Sequence, residues 1–280
     1  MRTHVIRARL YLCLLLYAGP LATWADVPAA VNEVRLQGCH GAAGSAQRLR
    51  ENRRLDAAAR GLSVGDSLPG AQERAGYRSV ASASVRLSNV PGDRDVAHLV
   101  ASQFCTQVID RTLSEIGAYR RGPDVWVIVA APFAPPAPGD RDRISRRVLE
   151  LTNEARSHPR LCGRVPYPAA PPLVLAPTLE GAAREHSQDM ARHDDLDHTG
   201  HDGSSPADRV TRTGYRWRVV GENLASGVLT PEDAVNGWVG SPHHCENLMS
   251  PRFREMAVAY AVNTSSAGGI FWTQLFATPR

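Results

Sequence analysis

The sequence predicts an α+β fold built from tandem three-layer α-β-α sandwiches, each with a small, mainly antiparallel sheet between helices. Three observations lead to this prediction. The chain repeats itself on the two sides of a proline-rich stretch, "PFAPPAPGD", which neither a helix nor a strand can continue. Segments of helical periodicity are mixed with short strand segments, and helices on both faces of a small antiparallel sheet are the simplest layering for them. The predicted domains are residues 26–131 and 143–280, with residues 132–142 as the linker.

The first 25 residues have the features of a secretory signal peptide. Arg2, Arg7 and Arg9 form a basic start, Leu10–Tyr17 is an apolar run, and a small-residue cleavage site ends at Ala25. A retained N-terminal anchor is the alternative. Later segments fall short of the roughly 20 consecutive apolar residues that a membrane helix needs. We therefore expect a mature chain without a membrane span, secreted or periplasmic after cleavage near Ala25.

The charge of the chain gives no support to nucleic-acid binding. The formal net charge is +4, but residues 1–25 contribute three arginines and no acidic residue, so the mature chain stands near +1. A basic patch or stripe is the electrostatic requirement for holding a phosphate backbone. We therefore expect no nucleic-acid partner.

The internal repeat consists of five anchors that occur in the same order in both domains. Each anchor alone would be weak, but five in one order are hard to obtain by chance. They pair Asn32–Arg35 with Asn153–Arg156, Leu55–Arg60 with Leu179–Arg184, Gly76–Arg78 with Gly214–Arg216, Cys105–Glu115 with Cys245–Glu255, and Val125-Trp126 with Phe271-Trp272.

Removal of the signal peptide leaves four cysteines: Cys39, Cys105, Cys162 and Cys245. An even number in an exported chain indicates two disulfide bonds in an oxidising compartment. The count alone leaves three connectivities open. The repeat places one cysteine pair in each domain and thereby predicts the bonds Cys39–Cys105 and Cys162–Cys245.

One insertion distinguishes the second domain from the first. The repeated leucine and the repeated Gly-Tyr are 35 residues apart in the second domain but 21 in the first, and the extra segment carries "DHTGHDG". Continuing the alignment without gaps places Ser84 opposite Glu222. The first domain is therefore predicted to keep the framework and to lack the polar cluster.

Two helices are predicted early in the second domain. Apolar side chains recur at helical spacing over residues 143–157, with Asp142 as the cap and Pro159 as the stop. Thr178 is the predicted N-cap of the next helix. His186 lies on the apolar face of that helix, which predicts a histidine in the core or at the edge of a cleft.

A third helix and two strands complete the prediction. Thr230 is followed by a proline and two acidic residues, a pattern that favours the positive end of a helix, and Pro242 closes this helix. Met256–Val262 and Gly269–Ala277 are the strand candidates, since a turn-rich segment separates them.

Several motifs of the second domain follow one another in a recognisable order: "HTGHDG", "R-x-x-x-x-GY", "GENLASG", "GW-x-x-SPHHCENLM", "FREMAVA" and "FWTQLF". Together they resemble bacterial members of the CAP superfamily, which includes cysteine-rich secretory proteins, antigen 5 and pathogenesis-related proteins. The resemblance covers residues 143–279, and residues 27–133 resemble a shortened, degenerate copy. It implies an α-β-α sandwich, a secreted or periplasmic setting, and a shallow polar cleft between the histidine loop and the Gly-Glu-Asn segment.

The resemblance also implies residues for this cleft. Eukaryotic relatives are described with two histidines and two glutamates that can hold a divalent metal. His198 and Glu222 match one residue of each kind, while Ser241 and Phe271 occupy the positions of the other two. The resemblance therefore implies weak binding of zinc or a similar divalent ion at most. The remaining cleft candidates are His244, which resembles the histidine of a bacterial "SPGH" motif, and Glu255.

Three functions remain open from the sequence. The preferred hypothesis is an exported CAP-type protein that binds a small-molecule, lipid, cell-wall or protein ligand through the cleft, without catalysis. The alternative is a metal-assisted hydrolase, in which His198, Glu222 and His244 supply three zinc ligands and leave a fourth position open for water. The third hypothesis is a structural module stapled by disulfide bonds. Convergence of those three side chains on one point would distinguish an enzyme from a binding module.

Polar residues around the cleft have simpler interpretations. Asp202 with Gly203 predicts a tight turn stabilised by the aspartate side chain, and His201 is interpreted as a solvated loop residue. A serine nucleophile at Ser204 or Ser241 is a weaker hypothesis, because no nucleophile-elbow pattern surrounds either residue.

Overall fold

The structure is a computed structural model that describes residues 26–280. The predicted signal peptide, residues 1–25 with its cleavage site near Ala25, lies outside the described residues. The chain divides into two units, one ending at Pro132 and the other beginning at Phe133. Within residues 26–280, no helix combines the length and the apolar character needed to cross a bilayer.

The N-terminal unit is a three-layer α-β-α sandwich. Its sheet has the strand order β1-β3-β4-β2, with β1 parallel to β3 and the other pairs antiparallel. Alternate residues of β4 enter opposite cores: Val127 packs with helices α1, α4 and α5, and Ile128 packs with α2 and α3. The elements are α1 (Val27–Gln37), β1 (Arg50–Glu51), α2 (Arg53–Leu62), α3 (Leu68–Arg74), β2 (Ser79–Leu87), α4 (Asp93–Gln103), α5 (Cys105–Ile109), β3 (Glu115–Arg121) and β4 (Asp124–Pro132).

The C-terminal unit has the same layering. After a 3-10 turn (Pro138–Asp140), its elements are α6 (Arg141–Arg156), β5 (Arg160–Cys162), β6 (Val165–Tyr167), β7 (Val174–Leu175), α7 (Pro177–His193), α8 (Pro206–Arg212), β8 (Trp217–Ser226), α9 (Pro231–Gly240), α10 (Pro242–Met249), β9 (Glu255–Val262) and β10 (Ile270–Pro279).

The sheet of the C-terminal unit has the order β7-β9-β10-β8, with β7 parallel to β9. Trp272 and Phe276 of β10 face the core formed with α6, α9 and α10, whereas Leu275 faces α7. β8 is an edge strand, and its antiparallel pairing with β10 runs from Ser226 to Trp217. The predicted α-β-α layering is therefore confirmed.

Helix starts in the C-terminal unit differ from the prediction by a few residues. α6 begins at Arg141, with Asp140 instead of Asp142 at the N-cap position. α7 begins at Pro177, with Ala176 instead of Thr178 at the N-cap position. Proline suits the first helical position because its backbone has no N–H to leave unsatisfied. The proline, and not the following hydroxyl, therefore marks the start of α7.

The sequence prediction missed several elements of the C-terminal unit, among them α10 and β8. Pro242 does follow α9, but it also begins α10, which carries His244. The Gly-Glu-Asn segment was assigned neither a helix nor a strand, yet Glu222 lies in the middle of β8. Its backbone pairs with Leu275 of β10, so the position of its side chain is fixed by a sheet.

Both predicted disulfide bonds are present: Cys39–Cys105 in the N-terminal unit and Cys162–Cys245 in the C-terminal unit. Each joins the region after the first helix of its unit to a short helix, α5 or α10.

Buried polar residues at repeated positions make the same contacts in both units. Asn32 exchanges two hydrogen bonds with the backbone of Leu49, and Asn153 does the same with Leu173. Arg35 and Arg156 each donate four hydrogen bonds to backbone carbonyls. The acceptors of Arg35 are Gln47, Val108, Asp110 and Leu113. The acceptors of Arg156 are Leu248, Ser250 and Pro171, and the carbonyl of Pro171 accepts two of the four bonds.

The strand register also relates the two units. Tyr77 donates a hydrogen bond to Glu115, and Tyr215 donates one to Glu255. Ser84 on β2 pairs with Ile128 on β4, and Glu222 on β8 pairs with Leu275 on β10. Ile128 and Leu275 occupy equivalent positions in their strands, so Ser84 corresponds to Glu222. In the last strands, however, Trp272 corresponds to Val125, one residue away from the predicted alignment.

Candidate functional site

A buried carboxylate at the sheet edge is the centre of the candidate site. Glu222 points from β8 towards the α7 side of the sheet, and its side chain is 2 % exposed. One carboxylate oxygen lies 2.8 Å from Nδ1 of His198, and the other accepts a hydrogen bond of 2.8 Å from Nη2 of Arg209. Both oxygens of this buried group therefore have a charged or polar partner, as buried carboxylates require.

Arg209 connects the carboxylate to the histidine loop. The same Nη2 donates to the backbone carbonyl of His198 at 3.0 Å, and Nη1 donates to the carbonyl of Ser204 at 2.8 Å. Its helix α8 starts with a capping box, in which Ser205 and Asp208 bond to each other's backbone N–H groups. Arg209 thus ties together the two sides of the loop and the buried carboxylate.

The loop itself is built from two turns closed by aspartate side chains. Asp197 accepts a hydrogen bond from the backbone N–H of Thr199 at 2.6 Å, and Asp202 accepts one from Ser204 at 2.9 Å. Gly203 follows with φ of +79°, a conformation that favours glycine. Asp202 and Gly203 therefore form the predicted turn.

His198 is the part of the site that solvent can reach, since 55 % of its side chain is exposed. Its hydrogen bond with Glu222 raises the pKa of the imidazole, although partial burial opposes this effect. When the ring is protonated, its Nδ1 donates to the carboxylate. The site therefore presents an imidazole ring, held at Nδ1 by a buried carboxylate, to the surrounding solution.

His186 lies beneath this pair on α7 and is buried. Its Nε2 is 2.8 Å from the carbonyl oxygen of Asp197 and 3.9 Å from the nearer oxygen of Glu222. Burial lowers the pKa of His186, although the charge of Glu222 acts in the opposite direction. Within residues 26–280, its Nδ1 is one of few buried side-chain nitrogen or oxygen atoms that have no hydrogen-bond partner. His186 therefore supports the loop through its contact with Asp197, and its burial agrees with its predicted place in the core or at the edge of a cleft.

His244 lies near His198 but does not complete a ligand set with it. Burial lowers the pKa of His244, and the charge of His198 lowers it further. The backbone carbonyl of His244 accepts a hydrogen bond from Asn223, the neighbour of Glu222 on β8. Among the described residues, the ligand atoms of His198, Glu222 and His244 do not all lie within 4.8 Å of one another. The convergence required for the hydrolase hypothesis is therefore not found.

Glu255 lies apart from the cleft. It is on β9, which β10 separates from β8, so the two backbone positions are about 10 Å apart or more. Its carboxylate accepts a hydrogen bond of 2.5 Å from the hydroxyl of Tyr215. Glu255 therefore fastens the segment before β8 to the sheet and does not join His198.

The residues present do not fit the four-ligand metal site that the family resemblance implies. Phe271 is fully buried and packs against Met190 and Leu224. Ser241 is at the N-cap position of α10. The two oxygens of Glu222 already bind His198 and Arg209. A metal ion bound by this carboxylate would have to share it with the guanidinium and the imidazole.

A different group of side chains meets the geometric requirement for a metal site. Asp189, His193 and His201 each offer one ligand atom, and within the described part of the chain these are the only three such side chains whose atoms all lie within 4.8 Å of one another. The sequence interpretation placed His201 in solvent and assigned no role to the other two. The i,i+4 spacing of Asp189 and His193 on a helix was the available signal.

The role of Arg209 was also missed. The sequence contained a signal for it, because Arg209 is the arginine of the "R-x-x-x-x-GY" motif. Its partners lie 11 and 13 residues away along the chain, on the loop and on β8. The motif therefore singles out Arg209, but it does not identify the partners of its side chain.

Comparison with known proteins places the C-terminal unit in context. The model of the cysteine-rich secretory protein family, CAP, matches residues 149–276. The Bacillus subtilis protein YkwD is 34% identical over 140 residues, which are 50% of this chain and 49% of YkwD. The chain thus spans about half the length of the curated relative it matches.

Two solved structures resemble the chain at low sequence identity. An extracellular protein containing an SCP domain from Bacillus anthracis matches with a TM-score of 0.41 and 22% identity, over 55% of this chain and 52% of that one. An outer surface protein from Borrelia burgdorferi matches with a TM-score of 0.40 and 21% identity, over 51% of this chain and 95% of that one.

Proposed function

Since the C-terminal unit carries a CAP domain, we propose that this unit binds a ligand or partner through the cleft around His198 at the edge of β8. One observation carries the proposal: a half-exposed imidazole is held by a fully buried carboxylate, which a buried guanidinium holds in turn. Building such a chain of charges costs desolvation free energy. A merely structural loop anchor would not need to present the ring to solvent.

The charges of the cleft favour a ligand with acceptor oxygens. Glu222 and Arg209 neutralise each other, so protonated His198 leaves one positive charge on the exposed ring. A carboxylate or phosphate group can accept a charge-assisted hydrogen bond from such a ring. Small molecules, lipids, cell-wall material and protein side chains can all present these groups.

We propose that the protein works outside the cytoplasm, either secreted or periplasmic. Both disulfide bonds support this location, because such bonds persist in oxidising compartments and are rare in the cytosol. The predicted signal peptide over residues 1–25 agrees with it.

The N-terminal unit is proposed to be a degenerate CAP-like copy that serves as a scaffold or an interaction surface. The common strand order, the matching disulfide bond and the equivalent contacts of Arg35 and Arg156 support a common origin. At the position of Glu222 this unit has Ser84, which is exposed. The N-terminal unit thus keeps the sheet and the disulfide bond, but it has no charged residue at the position of Glu222.

The geometry supports binding better than metal-assisted hydrolysis. Hydrolysis by the cleft requires three ligands directed at one point and an open position for water. Both oxygens of Glu222 are engaged, and His244 does not join them.

The proposal is tested by following the imidazole resonances of His198 in the full chain during titration. The probes are inorganic phosphate, acetate, phosphatidylglycerol vesicles and soluble cell-wall fragments. We expect saturable shifts of the His198 ring with at least one probe. Calorimetric titration of the same probe should give an affinity at least about tenfold lower in His198→Ala, which corresponds to the loss of a charge-assisted hydrogen bond.

The control is His243→Ala, which removes an exposed histidine next to His244 and should bind as the natural chain does. Equal affinity in His198→Ala and the natural chain would show that the loop is only a structural turn. Absence of a response to all four probes would contradict the proposed acceptor-oxygen chemistry.

A further inference from the structure

We propose that Asp189, His193 and His201 form a binding site for one divalent transition-metal ion, zinc foremost, beside the His198 cleft and independent of its ligand. The three side chains come from two elements. Asp189 and His193 are four residues apart on the last turns of α7, and His201 belongs to the histidine loop. The site is thus assembled where the loop folds back on the helix.

The separations between ligand atoms already suit a metal ion. Nδ1 of His193 lies 3.3 Å from one carboxylate oxygen of Asp189, and Nδ1 of His201 lies 3.4 Å from the other. Zinc binds nitrogen and oxygen ligands at about 2.0–2.2 Å in tetrahedral geometry, which places neighbouring ligand atoms roughly 3.3–3.5 Å apart. Rotation of the side chains about their own bonds would bring the three atoms around one ion.

The two histidines already lie next to each other. Their rings stack with centroids 3.5 Å apart and an angle of 15° between their planes. Because a metal ion lies in the plane of each imidazole that binds it, one ring must turn out of this stack to coordinate. The backbone N–H of His201 donates to Asp189 at 2.9 Å, which holds the loop residue against the helix. The helix and the loop therefore already hold the three residues together, and binding has to reorder side chains but not the backbone.

The donor set fits the chemistry of zinc and its neighbours. Neutral imidazoles suit zinc, copper and nickel, and a carboxylate adds the negative charge. His193 and His201 are 42 % and 41 % exposed, so an ion can enter and water can complete its coordination. Arg192 contacts Asp189 at 3.4 Å, but its side chain is 66 % exposed and is free to turn into solvent.

Binding also requires the loss of one hydrogen-bond contact. Nδ1 of His193 now lies 3.0 Å from the backbone carbonyl oxygen of Asp189, and that contact is released when the nitrogen takes a metal ion. Both imidazoles must also be neutral, so the affinity falls as the pH decreases.

An ion at this site would connect α7 to the loop three residues after His198. Glu222 and Arg209 hold the other side of the same loop. Metal binding would therefore fasten the loop that presents His198, without placing the ion on the cleft residues themselves.

The test measures zinc binding to the untagged full chain by competition with a chromophoric chelator, and cobalt binding by visible absorption. We expect one ion per chain. Because loss of even a residue behind a metal ligand weakens affinity by about 10–100-fold, His193→Ala and His201→Ala should weaken it at least that much. Asp189→Asn, which is nearly isosteric, should do the same and guards against misfolding of the alanine variants.

Two controls separate this site from the other histidines. His198→Ala removes the cleft imidazole, and His243→Ala removes the exposed histidine of α10; both should bind zinc within about twofold of the natural chain, a difference under about 0.4 kcal/mol. Circular dichroism shows whether each variant is folded. Unchanged affinity in folded His201→Ala and Asp189→Asn, loss only in His198→Ala, or no binding by the natural chain would each overturn the proposal.

Discussion

The C-terminal unit gathers Glu222, Arg209 and two histidines under one loop, whereas the N-terminal unit has the same strand order and ends the corresponding helix early. α2 has 10 residues and α7 has 17. The additional turns of α7 carry Asp189 and His193, and the inserted loop carries His198 and His201. These four side chains therefore lie on two additions to a shared framework, whereas Glu222 and Arg209 lie on elements that have counterparts in the N-terminal unit.

The comparison teaches which polar residues the framework needs. Arg35 and Arg156 donate to backbone carbonyls at matching places, and both are buried. Burial lowers the pKa of Arg156 to about 10, which still leaves it charged at neutral pH. These arginines satisfy carbonyl groups that would otherwise be buried without a partner. Glu222 has no such role, because the unit with Ser84 forms its sheet without it.

Removal of a disulfide bond should give the largest effect. The two bonds close loops with separations of 66 and 83 residues, so in the chain-entropy model each stabilises its unit by about 4–5 kcal/mol. We expect Cys39→Ser with Cys105→Ser, and Cys162→Ser with Cys245→Ser, to cost similar amounts.

Hydrogen exchange followed by mass spectrometry measures the loss of protection separately in residues 26–132 and 133–280. Each double variant serves as the control for the other. If one bond proved dispensable and the other essential, the two frameworks would not be equivalent.

Arg209→Met should give the next largest effect, a loss of about 3–5 kcal/mol in the free energy of unfolding. The variant leaves the carboxylate of Glu222 buried with only His198 as a charged partner, and breaking a buried pair on one side is costly. Combination with Glu222→Met should recover much of the loss, because the paired apolar residues leave no buried charge. Such a recovery would agree with the N-terminal unit, whose sheet forms with the uncharged Ser84 at the position of Glu222.

Urea unfolding of both single variants and the double variant forms the thermodynamic cycle. Strictly additive losses would mean that Arg209 and Glu222 do not stabilise each other.

Ser205→Ala should cost about 1 kcal/mol, because it removes the N-cap of α8 and breaks the reciprocal bond with Asp208. Ser67 is the corresponding cap of α3 and accepts a single, longer bond of 3.3 Å from Gly70. We expect a smaller loss for Ser67→Ala. Thermal unfolding of the two variants compares the caps directly, and a larger effect at Ser67 would contradict the structural difference between them.

The pH dependence of His198 should give the smallest effect, below about 1 kcal/mol, because the ring is half exposed. Its pKa is raised in the folded chain, so its contribution to stability is fully present below its unfolded pKa and disappears as the pH rises through the raised value. His186 acts in the opposite sense: its lowered pKa costs stability as the pH falls below its unfolded pKa.

Nuclear magnetic resonance titration of His198 in Glu222→Gln checks the cause. The pKa of His198 should decrease when the carboxylate is neutralised. Ser84→Ala, at the equivalent position of the N-terminal unit, is the matched control and should leave the titration of His198 as it is. A raised pKa that persisted in Glu222→Gln would assign it to another group.

Elements with strong local patterns were predictable from the sequence. The helix that follows the 3-10 turn, the last two strands and the cap at Thr230 lie within about two residues of their predicted places. β8 was missed because its polar Gly-Glu-Asn segment does not have an apolar alternation. α10 was missed because Pro242, interpreted as a stop, is also a good first residue for a helix.

The sequence by itself determined the layering, the cysteine pairing and the absence of the histidine loop from the first unit. The periodicity of apolar residues and the comparison of the two repeats indicate these features without any knowledge of tertiary contacts. Only the tertiary structure decided which polar residues meet. It joined Glu222 to Arg209 and His198, directed Glu255 to Tyr215, and stacked His201 on His193. Burial and charge depend on neighbours from distant segments, and these neighbours are brought together only when strands pair and helices pack.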